Sequence, residues 1–269
     1  MDFLALLCQF GLQLLFTVGL IVIVGLTIAG AKHFFLRSCG RAGNRVEIIS
    51  GAIGTPIHEL SHALFCLIFG HKIVELRLYT PRDPSGTLGY VSHSYHKRNL
   101  WHRIGNFFIG VGPLIGGSAV LLLLMWLLVP NASEALFDTA LGSAVANDLA
   151  AIPSAIGERA WGVLSALFLP ENFSAWQWYL FLILAIPIVL HMKISGADLK
   201  SGLIGFLFLA GIWLVCDLLL FFIYPKGLYA LTAGCMYIGV FLSTFFLLAL
   251  GIAAILVLVS IPMRMLRRR

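Results

Sequence analysis

The sequence predicts an all-α integral membrane protein of about six transmembrane helices, with a small β-hairpin between the second and the third. Of the 269 residues, 60% are hydrophobic and only 11% are charged, whereas about 25% of the residues in an ordinary soluble domain are charged. Several apolar segments reach the ~20 residues that a helix needs to cross the hydrocarbon core of a bilayer. We therefore expect lipid to surround most of the chain.

We predict six apolar spans within a single polytopic domain, residues 1–269. The N-terminal segment lacks the basic start of a secretory signal and a clear cleavage site, so we interpret it as a retained first span. Residues 131–175 are acidic and interrupted by prolines, and we expect them on the outer side, with an interfacial amphipathic helix within 135–149. The spans cover about residues 4–31, 48–70, 105–129, 176–192, 200–223 and 228–262.

The basic residues favour an orientation with both termini in the cytoplasm. In this orientation twelve Lys and Arg residues lie in cytoplasmic segments and six lie outside, in line with the positive-inside rule. Four of the six are in the first loop, which counts against it. We therefore attribute the net charge of +6 to membrane topology.

The composition argues against two other kinds of function. No basic face with interleaved aromatic residues is present, so no nucleic-acid partner is expected. The cysteines are odd in number, scattered, and without a Cys-x-x-Cys pair, which argues against a disulfide framework or a cysteine zinc site. We interpret all five as small apolar side chains within helices: Cys8, Cys39, Cys66, Cys216 and Cys235.

The segment between the second and third spans has the pattern of a surface β-hairpin, at about residues 72–96. Residues 73–79 alternate between apolar and charged, residues 80–86 are rich in turn formers, and residues 87–93 resume a strand-like pattern. Two such segments around a turn predict a hairpin. An ordinary connecting loop is the alternative.

The strongest functional signal is the sequence His58-Glu59-Leu-Ser-His62 in the second predicted span. On a helix, residues i and i+4 share a face, so both imidazoles can bind one metal ion. Glu59 is placed to accept a proton from a water molecule that the metal activates. The pattern predicts a hydrolytic Zn²⁺ site, and the alternative is a polar cluster that serves only the packing of the bundle.

A catalytic zinc site normally has three protein ligands and one open position. The third ligand must come from elsewhere in the chain, because the position six residues after His62 is Ile68. His71 would face a different side of a continued helix. Glu75 lies in the predicted hairpin, which we expect at the surface.

A carboxylate between two later spans is the preferred third ligand. Asp198 follows the helix-breaking stretch that begins at His191, and a membrane fold can return it to the second span. Asp217, an acid deep within an apolar segment, is the alternative. His191 is interpreted as a residue that supports the ligands, as another candidate ligand, or as a histidine that merely lies at the membrane interface.

These residues resemble the site-2 protease family of intramembrane metalloproteases. In that family a zinc-binding His-Glu-x-x-His lies on one transmembrane helix, a helix containing Gly-Pro follows, and an aspartate near the start of a later span completes the coordination. The pentapeptide 58–62 matches the first element, Gly112-Pro113 looks like the second, and Asp198 fits the third by order. The likeness extends over about residues 48–223, although Ala197 and Leu199 differ from the leucine and glycine that flank the family's aspartate.

The resemblance implies an intramembrane zinc metalloendopeptidase that cuts membrane proteins in or near their transmembrane segments. It also implies that a cytoplasmic hairpin holds the substrate as an added strand. In this interpretation His58, His62 and Asp198 bind zinc and Glu59 is the general base. The alternatives are a protein that binds or transports metal ions and a non-catalytic membrane scaffold.

Overall fold

The computed structural model describes residues 3–81, 83, 86–129, 131 and 152–267. This part of the chain is mostly helical, with one two-stranded sheet. We number the α-helices and strands in chain order. They are α1 Phe3–Leu14, α2 Leu20–Cys39, α3 Gly43–Ile68, β1 Lys72–Arg77, β2 Tyr90–Ser94, α4 Leu100–Leu128, α5 Ile152–Leu167, α6 Trp176–His191, α7 Gly196–Ile223 and α8 Pro225–Arg267.

Several of these helices are suited to a membrane. Within the described residues, four helical segments are long and apolar enough to cross one: Phe3–Ile68, Leu100–Leu128, Gly196–Ile223 and Pro225–Leu266. The predicted membrane character is thus supported, but the count of six spans is not confirmed. The first two predicted spans fall within one helical segment, Phe3–Ile68, and α6 is apolar but has only 16 residues.

The first helical segment folds back on itself at Gly40. Gly40 has a φ of 60°, a positive value that favours glycine, and it directly follows the end of α2. A short 3₁₀ turn, Gly40–Ala42, then leads into α3. Lys32 Nζ lies 2.7 Å from Glu47 Oε1, although 15 residues of straight helix would separate them by about 22 Å. The two helices therefore run side by side.

The predicted hairpin is confirmed. Strands β1 and β2 are antiparallel, and Ile73 is paired with His93 across them. The Tyr79 hydroxyl donates a hydrogen bond to the carbonyl oxygen of Ile48 over 2.6 Å. This bond fixes the connection after β1 against the first half of α3.

The core lies among α2, α4, α5, α6 and α8, where Ile28, Leu114, Val163, Phe181 and Phe246 are almost fully buried. Helix α7, in contrast, exposes large apolar side chains along its length, and Phe222 is 78% exposed. In water such a face would be costly, so we assign it to lipid.

Glycines let α4 and α7 approach each other closely. A Cβ at Gly110 would lie 2.7 Å from the carbonyl oxygen of Asp198, and one at Gly205 would overlap the main-chain nitrogen of Phe107. Small residues permit such contacts between membrane helices. The close approach brings the start of α7 next to α4.

The predicted outer segment, residues 131–175, is described only in part. Its described portion holds α5 and the 3₁₀ segment Pro170–Ser174. The amphipathic helix predicted within 135–149 lies outside the described residues.

Replacement of Gly205 by alanine is expected to destabilise the protein, because the added Cβ would overlap α4 and overpacking costs about 1–3 kcal/mol. Gly211→Ala is the matched control on the same helix, since no described atom lies within 4 Å of a Cβ at Gly211. This control should be neutral or stabilising by about 1 kcal/mol. Thermal unfolding in detergent measures both variants, and equal Tm values would contradict the α4–α7 packing.

Candidate metal centre

Helix α3 places both histidines of the pentapeptide on one face. Their side chains converge, with His58 Nε2 3.2 Å from His62 Nε2. The ring centroids are 4.8 Å apart and the planes meet at 77°. The i and i+4 spacing therefore produces the paired imidazoles that the sequence predicts.

The structure brings Asp198 to these histidines. Its Oδ1 atom lies 3.4 Å from His62 Nε2. The Asp198 N–H donates to Ser195 Oγ over 3.1 Å, and the Ser195 N–H donates to Asp198 Oδ2 over 2.9 Å. This reciprocal pair is a capping box at the start of α7. One carboxylate oxygen is therefore held by the helix start, and the other faces the histidines.

Two of the separations among the three candidate ligand atoms match those around a tetrahedral metal ion such as zinc, and all three are within 4.8 Å. Ligands of a tetrahedral zinc lie about 3.3 Å apart, since zinc bonds to nitrogen and oxygen are about 2.0–2.2 Å long. The separations of 3.2 Å between the histidine Nε2 atoms and 3.4 Å from His62 to Asp198 agree with this value. Two imidazoles and one carboxylate would leave a fourth position open for water, as in hydrolytic zinc sites.

Main-chain carbonyls orient both histidine rings. His58 Nδ1–H donates to the carbonyl oxygen of His191 over 2.6 Å, and His62 Nδ1–H donates to that of Ile109 over 2.7 Å. Each bond fixes the proton on Nδ1 and leaves the Nε2 lone pair directed at the centre. Such partners are typical of histidines that bind metals.

Both carbonyls are available because no helical N–H uses them. Ile109 lies four residues before Pro113, whose nitrogen has no hydrogen to donate to it. His191 is the last residue of α6, where carbonyls have no partner within the helix. Pro113, part of the Gly-Pro pair noted in the sequence, thus has a physical role that the sequence analysis did not identify.

His191 supports the centre through its main chain and is not a ligand through its ring. Its Nε2 lies 3.0 Å from Ser50 Oγ and its Nδ1 lies 3.3 Å from Thr55 Oγ1. A Cβ at Gly54 would overlap the carbonyl oxygen of Pro187 and lie 2.7 Å from His191 Cβ. Gly54 therefore permits the close contact between α3 and α6 that brings the His191 carbonyl to His58.

Asp217 is not part of this group. It lies 19 residues after Asp198 on α7, which places it about 28 Å further along the helix. It is fully buried beside Gln13 and Cys235. The competing assignment of the third ligand to Asp217 therefore has no geometric support.

Glu59 borders the same cavity as the three candidate ligands. The cavity has a volume of about 590 Å³ and is lined by residues of α3, α4, α7 and the hairpin. Glu59 is only 5% exposed. The ion pair of Lys32 and Glu47 forms another part of the wall. A carboxylate, a metal site and space for a substrate thus occur together.

Pro113→Ala is expected to weaken zinc binding about tenfold to a hundredfold, because the new N–H would compete with His62 for the Ile109 carbonyl and partners of this kind contribute that much to affinity. Competition with a chelator measures the zinc Kd. Subtraction of the zinc binding that remains in the His62→Gln variant isolates the contribution of this centre. Pro262→Ala, in the exposed last part of α8, is the control and should match the unmodified chain. An unchanged Kd in Pro113→Ala would refute the role given to that carbonyl.

Comparison of the chain with models of protein families, with curated proteins and with solved structures found no match.

Proposed function

We propose that the protein is an intramembrane zinc metalloendopeptidase, which hydrolyses peptide bonds in or near the transmembrane segments of other membrane proteins. The observation that carries this proposal is the convergence of His58, His62 and Asp198 beside the buried Glu59. The histidines and the glutamate belong to α3, which lies within an apolar helical segment long enough for a membrane. The residues that the sequence analysis named for hydrolysis are thus neighbours in one cavity.

Each residue of the site has a separate role in the proposed hydrolysis. A bound Zn²⁺ would supply Lewis acidity, which activates water and polarises the scissile carbonyl. Glu59 accepts a proton from the attacking water as the carbon–oxygen bond forms, and transfers it to the amine nitrogen as the carbon–nitrogen bond breaks. His58, His62 and Asp198 would hold the ion, and the buried position of Glu59 limits its contact with bulk water.

The hairpin is suited to present a substrate in extended form. Residues 86–91 and His93 line the cavity. Of these, Tyr90, Val91 and His93 belong to β2, and Gly89 directly precedes it. Strand β2 pairs with β1 on one side only in the described sheet, so its other edge can accept a further strand. A transmembrane helix hides its carbonyls in hydrogen bonds, so a substrate must unwind before attack. Pairing with β2 would stabilise the unwound segment.

The proposed topology has six crossings and cytoplasmic termini. The chain folds back at Gly40, so the first helical segment supplies two crossings, and α6 supplies the fourth. In intact cells Cys39 should react with a membrane-impermeant maleimide, in a chain whose other cysteines are alanine. With Cys39 also replaced, the Lys97→Cys variant should react only after permeabilisation. The reverse pattern would overturn the orientation.

Glu59→Gln is expected to lower the rate of cleavage about 10²- to 10⁴-fold, because the amide cannot accept the proton. Zinc content should be unchanged, since Glu59 is not a ligand. The assay uses proteoliposomes and a fluorogenic peptide whose single transmembrane segment contains Gly and Pro, with metal analysis of the same sample. Glu75→Gln, at an exposed position on β1, is the matched control and should cleave normally.

The Glu59→Gln variant also distinguishes a protease from a metal transporter and from a non-catalytic scaffold. A metal transporter would carry Zn²⁺ into the liposomes at a rate that Glu59→Gln need not change, and a scaffold would cleave nothing in either form. Cleavage that persists in Glu59→Gln would refute the proposed base.

A further inference from the structure

A second group of side chains that could bind a metal ion lies at the C-terminal end of α3. Ligand atoms of Cys66, His71 and His93 all lie within 4.8 Å of one another. Cys66 is fully buried and His71 is 4% exposed. None of these residues belongs to the ligand set of the proposed protease, and they come from three different elements: the helix, its C-terminal turn and β2.

The end of α3 brings Cys66 and His71 together. Gly70 has a φ of 69°, and its N–H donates to the carbonyl oxygen of Leu67. The His71 N–H donates to the carbonyl oxygen of Cys66 over 2.8 Å. This pair of bonds is a Schellman motif, which reverses the chain at the helix end. The histidine is thereby folded back over the last turn of α3.

The hairpin supplies the third side chain. Because Ile73 is paired with His93, β2 returns to the point where β1 leaves the helix. His71 Nδ1 then lies 3.0 Å from His93 Nδ1. Two nitrogen ligands of one tetrahedral zinc are expected about 3.3 Å apart, so a small movement of either ring would make room for the ion.

His71 is already held in the form that a metal requires. Its Nε2–H donates to the carbonyl oxygen of His102 over 2.8 Å, so the lone pair is on Nδ1, which faces His93. The ring of Tyr95 stacks on His71 at a centroid distance of 4.8 Å. A carbonyl on the far nitrogen and a packed ring are the features that orient metal-binding histidines.

We propose that Cys66, His71 and His93 bind a second Zn²⁺ ion, which joins the hairpin to the end of α3. Binding would release the thiol proton of Cys66, and the thiolate and two neutral imidazoles would leave a fourth position for water. A thiolate with imidazoles suits zinc better than Mg²⁺ or Ca²⁺, which prefer oxygen ligands. Since His93 also borders the main cavity, the ion would fix one wall of that cavity.

Cobalt substitution tests this site separately from the proposed protease centre. Thiolate bound to Co²⁺ gives a charge-transfer band in the near ultraviolet, and His58, His62 and Asp198 contain no sulfur. The detergent-solubilised chain should bind two equivalents of Co²⁺ and show this band. Cys66→Ala should bind one equivalent and lose the band, whereas His62→Gln should bind one and keep it.

Matched variants guard against effects on folding. Cys235→Ala, which replaces another buried cysteine, and His33→Gln, which replaces an exposed histidine, should both retain two equivalents. If Cys66→Ala does not fold, His93→Gln on the half-buried strand should lower the intensity of the band or the affinity for Co²⁺ at least tenfold. The proposal is overturned if the unmodified chain shows no thiolate band. It is also overturned if the band is unchanged in Cys66→Ala. Where Cys66→Ala does not fold, an unchanged band in His93→Gln overturns it. The cleavage assay with Glu59→Gln has a separate outcome.

Discussion

The candidate metal centre depends on two main-chain carbonyls that their own helices leave without a donor. Pro113 frees the carbonyl of Ile109, and the end of α6 leaves that of His191 unpaired. A carbonyl within a bundle of membrane-spanning helices has few water molecules to accept hydrogen bonds from, so an imidazole N–H is a favourable donor. The hydrogen bonds that satisfy the backbone are thus the same ones that turn both histidines toward Asp198.

Local patterns in the sequence were sufficient to predict much of the fold. The apolar spans, the hairpin and the shared face of His58 and His62 each follow from a period or a turn signal over a few residues. The number of crossings was harder to predict, because α2 and α3 form one helical segment that only Gly40 interrupts. The conformation of Gly40 marks where the chain reverses.

Contacts between distant residues account for what could not be predicted. Asp198 was named from chain order and the family resemblance, but its capping box with Ser195 and its distance to His62 depend on how α7 packs on α4. The sequence shows that Pro113 frees the carbonyl of Ile109. It does not show that the His62 ring would donate to that carbonyl. The return of His71 to Cys66 was not predicted, because it depends on the positive φ of Gly70.

Asp198 links the start of helix α7 to the candidate metal centre. One of its oxygens caps the first turn of α7, and the other faces His62. An ion captured there would pull on the same carboxylate that initiates the helix, so part of the binding free energy would go into folding. Loss of such an ion would therefore loosen the first turn of α7 as well as empty the centre.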